Sequence, residues 1–213
     1  MNDRLHGADA LQSSAQAAGE RFFRLYHKHA IAPDIDTLFS LLEAVHSLND
    51  RLKKTTGHDF LDFEEFLTLK SLRNFFHHHE ELTHEVKVIP ANDLPAISTD
   101  LLFLCVLPSA LVQDAIEKVQ AKHRVQAAEA MSRTLRWYGS VVNLNPCLFN
   151  FSVRAYERLQ ELSIQLTGAE YEAFDASYKA EEAAGNSHFV TGQIYCHAGS
   201  VDEILAKAFS DRT

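Results

Sequence analysis

The sequence has few of the residues that mark turns, disulfides or membrane spans. It has only 8 glycines and 5 prolines in 213 residues, which disfavours an all-β sandwich, because such folds need frequent turns. Cys105, Cys147 and Cys196 are odd in number and widely spaced, which indicates a reduced intracellular chain. The longest apolar run, residues 101–108, is far shorter than the ~20 residues of a membrane helix, and the polar N-terminus lacks a signal-peptide core. We therefore expect a cytoplasmic protein without a membrane span.

Overall composition fits an ordinary globular chain of moderate size. Apolar residues make up 46% of the sequence and charged residues 23%, so we expect one helical domain over residues 1–213 with its motif-bearing core at about 36–90. The net charge of −9 argues against a broad surface for non-specific nucleic-acid binding. It leaves room for a small cleft that binds phosphate.

Helical periodicity accounts for most of the chain. Apolar residues recur at spacings of three and four, which predicts helices at residues 8–30, 36–55, 59–86, 109–142 (with a break near His123) and 145–166. Capping boxes at Thr167 with Glu170 and at Ser200 with Glu203 predict two more helix starts. Strands are expected only as one short β-hairpin near residues 86–106. The predicted fold class is all-α, a bundle of about six or seven helices.

The segment LKSLRNFFHHHEELTHE, residues 69–85, holds the groups best suited to chemistry. On a helix at about 100° per residue, its apolar side chains form one stripe that includes His79, which we interpret as a core histidine. Arg73 shares another face with His77 and His84. A guanidinium binds phosphate through two parallel hydrogen bonds, and an imidazole transfers protons near neutral pH. This combination fits phosphodiester cleavage in RNA without a metal ion or other cofactor.

At these residues the sequence resembles the HEPN family, small helical bundles that include many RNA-cleaving toxins and antiviral effectors. The family signature is an arginine, four to six residues, and then a histidine, often with Asn directly after the arginine. Arg73-Asn74-Phe75-Phe76-His77-His78 matches it on an amphipathic helix. Three other arginines precede a histidine at this spacing, but only Arg73 is followed by Asn: the others are Arg21, Arg24 and Arg51.

The resemblance implies a metal-independent endoribonuclease that leaves a 2′,3′-cyclic phosphate. It implies that Arg73 binds phosphate, that His78 is the general base or a positioning group, and that Asn74 orients them. It also implies a homodimer whose sites are shared between protomers, and it leaves room for a neutralising protein partner. In an unbroken helix Arg73 and His78 point about 140° apart, so His77 remains an alternative base.

Two other interpretations of the sequence stay open. The first is a non-catalytic helical module that binds a ligand or a protein. The second is a di-metal carboxylate bundle, because Glu43 with His46 and Glu81 with His84 are both Glu-x-x-His pairs. A loose cluster of soft ligands, His188 with Cys196 and His197, has no recognised zinc spacing, so we assign it no metal.

Overall fold

The structure is a computed structural model that describes residues 2–78 and 86–208, with side chains from residue 11 onward. Within these residues the chain is mainly helical, as predicted, with eight α-helices. In chain order they are α1 (Asn2–Ile31), α2 (Ile35–Thr56), α3 (Glu64–His78), α4 (Ser109–Lys118), α5 (Ala121–Thr134), α6 (Asn145–Glu161), α7 (Ala169–Ala184) and α8 (Val201–Ala208).

The described residues also contain more β-structure than the single predicted hairpin. The strands are β1 (Lys87–Pro90), β2 (Ile97–Ser98), β3 (Phe103–Pro108), β4 (Arg136–Tyr138), β5 (Val141–Asn143) and β6 (Tyr195–Cys196). Four of them form an antiparallel sheet in the order β1-β3-β5-β4, and β2 pairs with β6. The predicted strands near 86–106 are therefore present as β1 and β3, but β3 also pairs with β5.

The helical stretch predicted over 109–142, with a break near His123, was wrong in its last quarter. The chain forms α4 and α5 and then turns into the β4–β5 hairpin, in which Tyr138 pairs with Val141. Gly139 adopts a φ of +69°, a conformation that glycine accepts without strain, and it lets the chain reverse. Aromatic residues before Gly139 and β-branched residues after it favour paired strands over a helix.

The helix α2 shows how local sequence fixes an element that positions the site. Asp34 caps its start, since its carboxylate accepts the Thr37 N–H at 2.6 Å and the Thr37 hydroxyl accepts the Asp34 N–H at 2.9 Å. The helix ends at Gly57, whose φ is +79°. Its predicted apolar face is buried: Leu38, Leu41, Leu42, Val45, Leu48 and Leu52.

The predicted third helix begins later than expected. Residues 59–63 form a turn in which Phe60 is fully buried and Leu61 is 37% exposed, so Phe60 joins the core and Leu61 does not. The Phe60 N–H donates to the Asn49 side chain at 2.9 Å, which holds this turn against α2. His79, which the sequence predicts to be a core histidine, lies outside the described residues, as do Glu81, His84 and the rest of 79–85.

Two helix ends also differ from expectation. The helix α6 begins at Asn145–Pro146 as predicted but ends at Glu161, because Ser163 adopts a φ of +55° and directs the chain away. The helix start predicted at Thr167 is confirmed to within two residues, because α7 begins at Ala169, but the predicted capping box is wrong, since α7 follows Gly168 with no side-chain cap. Glu20 of α1 instead accepts the N–H groups of Thr167 and Gly168, at 2.6 and 2.9 Å.

One large cluster of buried apolar side chains joins the helices to the sheet. It extends from Ala15 in α1 to Tyr171 in α7 and includes Phe22, Phe66 and Phe151. The helix α3 packs against α2 on one side and against α4 and α5 on another, so it separates two different environments. No helix in the described ranges is both long enough and apolar enough to cross a membrane.

Candidate functional site

Arg73 lies on the side of α3 that faces α2, where a carboxylate binds it. Its Nε donates to Glu43 Oε1 at 2.8 Å and its Nη2 donates to Glu43 Oε2 at 2.7 Å. The remaining Nη1 donates to the Asn74 side-chain oxygen at 3.2 Å. This two-point contact is the geometry with which a guanidinium also binds phosphate. Glu43 therefore occupies the hydrogen-bonding edge that a phosphate would use.

The charges around Glu43 come from both helices. The hydrogen bonds from Arg73 hold the pKa of Glu43 below its usual range, and the nearby His77 and His46 lower it further. The side chain of Arg73 is 22% exposed and that of Glu43 is 51% exposed, so the pair lies at the edge of the core. A competing anion can therefore reach it from solvent.

His78 lies on another side of α3 and opens into a cleft. The cleft has a volume of about 780 Å³ and lies between α3, α4 and α5. Asn74 lines the same cleft while also contacting Arg73, so it connects the two environments. The rings of His77 and His78 are 5.5 Å apart, and His77 does not line the cleft.

The described lining of this cleft is basic although the chain is acidic. Two lysines, Lys70 and Lys118, and two histidines, His78 and His123, line it, and none of its described lining residues is acidic. Within the part of the chain that is described, Lys70, Lys118 and His123 form no ion pair with a carboxylate. Among the described residues, the two lysines and the His123 ring are therefore left to an anion from solvent.

The motif residues thus fall into two groups. Arg73 and His77 lie near Glu43, whereas His78 lines the cleft and Asn74 touches both environments. The helix continues through His78 without a distortion in the described residues, so Arg73 and His78 stay on different sides of α3. Lys118 and His123 are not recognisable as site residues from the sequence, because no local pattern in α4 or α5 signals that they face α3.

The described side chains that could ligate a metal do not assemble into a ligand set. Glu43 of the first Glu-x-x-His pair is bound to Arg73, while His46 lies 3.2 Å from Asp50. Its proposed counterpart, Glu81 with His84, is not among the described residues. His188 stacks on Tyr178 and contacts Glu181 at 3.1 Å. Among residues 11–78 and 86–208, no three His, Cys, Asp or Glu side chains are placed to hold a metal ion.

Comparison of the chain with protein-family models, with curated proteins and with solved structures found no match.

Proposed function

We propose that the protein is a metal-independent endoribonuclease of HEPN type that acts as a homodimer. In this proposal His78 accepts the proton of a ribose 2′-hydroxyl, and the 2′-oxygen forms a bond to phosphorus. The bond from phosphorus to the 5′-oxygen breaks, the 5′-oxygen leaves with a proton from water, and a 2′,3′-cyclic phosphate remains. Arg73 stabilises the charge on the phosphate, and Asn74 orients the reacting groups.

The observation that supports this proposal is the position of His78 in a basic cleft. A volume of about 780 Å³ lies in the range of small-molecule sites and accommodates a nucleotide. Lys70 and Lys118 in the same lining attract the phosphate chain, and the exposed ring of His78 can reach a ribose hydroxyl. Asn74 connects this cleft to Arg73, as an orienting residue would.

The ion pair between Arg73 and Glu43 gives the proposal a second requirement. A phosphate must replace the Glu43 carboxylate at the Arg73 guanidinium, or Arg73 must complete a site in a second protomer. Both routes are open to an ion pair at the edge of the core. In either case Glu43 competes with substrate and is not part of the reaction.

The first prediction tests Arg73 and His78 by substitution. Arg73→Ala and His78→Ala should each lower the rate of RNA cleavage at least 100-fold, because each removes about 3 kcal/mol or more of transition-state stabilisation. Cleavage of a labelled RNA by tag-free protein in EDTA, with analysis of the product ends, measures this. Arg51→Ala is the matched control, since Arg51 also precedes a histidine within the spacing of the motif, with six residues between it and His58, but lies exposed on α2.

Glu43→Gln separates a catalytic Arg73 from a structural one. It breaks the ion pair while keeping the guanidinium, so cleavage should persist or increase if Arg73 binds phosphate. If Arg73 only holds α3 to α2, Glu43→Gln and Arg73→Ala should lose thermal stability and activity together. Full activity in Arg73→Ala would exclude this site. If His77→Ala loses activity while His78→Ala keeps it, the general base is His77.

The occupied guanidinium of Arg73 favours a second candidate function. A protein that uses the Arg73–Glu43 pair only to join two helices would be a ligand-binding module with no nuclease activity. Such a protein would bind RNA or nucleotides in the cleft without cleaving them, even after Glu43→Gln. Cleavage that depends on His78 would exclude this alternative.

A further inference from the structure

The wall of the cleft that faces α3 has features of its own. Lys118 ends α4, His123 lies in the first turn of α5, and both line the cleft opposite His78 and Lys70. Neither residue belongs to the motif on α3. Their positions therefore bear on what the cleft binds, whether or not the motif is catalytic.

The backbone around Lys118 is held in place by an arginine. Arg124 Nη2 donates to the carbonyl oxygens of Glu117 at 2.8 Å and Val119 at 3.3 Å, at the C-terminal end of α4. The His123 N–H also donates to the Gln120 carbonyl at 2.8 Å, which fixes the corner between α4 and α5. Lys118 and His123 thus extend from a corner of fixed geometry. Arg124 stabilises that corner through its bonds to the backbone.

The cleft also has an apolar part next to Lys118 and His123. Leu61 is 37% exposed and lines the cleft together with the half-buried Val119. A bare phosphate ion would leave this apolar surface in water, whereas a ribose or base covers it. The lining therefore combines groups that bind a phosphate with a surface that binds the nucleoside attached to it.

We infer that Lys70, Lys118 and His123 form a binding site for the phosphate of a nucleotide or of a single-stranded oligonucleotide. Lys70 approaches this phosphate from α3, and Lys118 and His123 approach it from the corner between α4 and α5. The inference goes beyond the cleavage proposed above, because binding at these residues requires no reaction. It stands if the motif proves inactive and falls if the cleft binds no phosphate.

The test measures binding without cleavage. The probes are inorganic phosphate, adenosine 5′-monophosphate and a ten-nucleotide 2′-O-methyl RNA, which has no 2′-hydroxyl to react. The monophosphate should bind more tightly than inorganic phosphate, and amide resonances of residues 118–123 should shift on titration. Tighter binding of the RNA than of the monophosphate assigns the site to a nucleotide chain, and equal binding assigns it to a single nucleotide.

Charge-removing variants identify the residues. Lys70→Gln and Lys118→Gln should each weaken binding of the tightest probe about tenfold, because each loses a charge-assisted contact. For the RNA, each substitution should also reduce the slope of log affinity against log salt concentration by about 0.7 per lost phosphate contact. Lys122→Gln is the matched control, since Lys122 is exposed on the same α5 but does not line the cleft, and it should change affinity less than twofold.

Three outcomes would overturn the inference. They are no binding of any probe, an effect of Lys122→Gln equal to that of Lys118→Gln, and unchanged affinity in a Lys70→Gln, Lys118→Gln double variant. All substituted lysines lie at least partly in solvent, so circular dichroism should report unchanged folding. Binding that is lost in the lysine variants while His78→Ala binds normally would support the inference even if no RNA is ever cleaved.

Discussion

At the scale of single residues, His29 is the described histidine whose environment departs most clearly from water. It is 2% exposed, its Nδ1 lies 2.8 Å from the Thr37 hydroxyl, and its ring packs against Phe103. Its buried Nε2 has no partner among the described residues. Burial lowers the pKa of His29 to about 4, although nearby Asp34 opposes this shift. The native state therefore holds a neutral imidazole that the unfolded chain protonates more easily.

A pH-dependent loss of stability follows from this shift. Between pH ~6.5 and ~4 the unfolded chain binds the proton and the native state does not, so the free energy of unfolding falls as pH falls. In His29→Leu this contribution is absent. Chemical unfolding at pH 7 and 4.5 should show wild type losing about 2–3 kcal/mol more than His29→Leu. His27→Leu, an exposed position on the same helix, should behave as wild type, and an equal loss in all three proteins would contradict the assignment.

The motif residues show what sequence reasoning can reach at this scale. The identity and spacing of Arg73, Asn74 and His78 are legible in the sequence, and helical geometry correctly places Arg73 and His78 on different sides. The partner of Arg73 is not legible, because Glu43 lies 30 residues away on another helix. In the sequence, the only feature that marks Glu43 is its Glu-x-x-His spacing to His46. The contact that decides whether Arg73 is free depends on how α2 packs against α3.

At the scale of elements, the start of α7 shows a local signal overridden by a tertiary contact. Thr167 and Glu170 have the spacing of a capping box, yet Glu20 of α1 accepts the N–H groups of residues 167 and 168. A carboxylate at a helix N-terminus also stabilises the helix, because its negative charge interacts favourably with the helix dipole. A Cβ at Gly168 would lie 2.1 Å from Glu20 Oε2, so glycine allows this close approach. The contact joins the first helix to the seventh.

Substitution of Glu20 should therefore weaken the whole fold. Glu20→Ala removes the acceptor of two N–H groups and should lower the free energy of unfolding by about 1–2 kcal/mol. Glu20→Gln keeps one acceptor oxygen and should recover part of that loss. Urea unfolding measures both, with Glu117→Ala as the control because that exposed side chain has no hydrogen-bond partner in the described residues. Equal stability of Glu20→Ala and Glu117→Ala would contradict this role.

Strands were harder to foresee than helices for a physical reason. The amphipathic pattern of α2 is local, and its buried face agrees with prediction residue by residue. The strand β5 is only three residues long and gains its stability from pairing with β3 and β4. The aromatic and β-branched residues around Gly139 and Ser140 carry a hairpin signal, but a helical pattern just before them obscured it. Whether such short segments form strands depends on pairing with a strand that is distant in the sequence.

At the scale of the whole molecule, the cleft is a property of packing. The chain carries a net charge of −9, yet the described lining of the cleft contains lysines and histidines and no acidic residue. Three helices from two parts of the sequence supply it, and the break between α4 and α5 at residues 119–120 opens one wall. The sequence predicts this break near His123, but it does not indicate that His123 and His78 line the same cleft. Net charge is therefore a poor guide to the ligand of a local site.

The opposed directions of Arg73 and His78 bear on how two protomers would share a site. Within one chain Arg73 faces Glu43 and His78 faces the cleft, so a self-contained site needs a rearrangement of α3. A site that takes Arg73 from one protomer and His78 from its partner avoids that rearrangement. In a dimer of Arg73→Ala with His78→Ala, one such site would lack both groups and the other would keep both.

Mixing these two inactive variants should therefore recover nuclease activity. Random exchange makes half of the dimers mixed, and each has one intact site of two, so about a quarter of wild-type activity should return in the mixture and about half in the purified mixed dimer. Coexpression of the two variants with different tags allows the mixed dimer to be isolated. Sedimentation confirms that it is a dimer, and the RNA cleavage assay measures its activity. Arg73→Ala mixed with the Arg73→Ala, His78→Ala double variant is the control, since neither subunit supplies Arg73. A mixed dimer that forms but stays inactive would contradict the shared site and place Arg73 and His78 of one chain together.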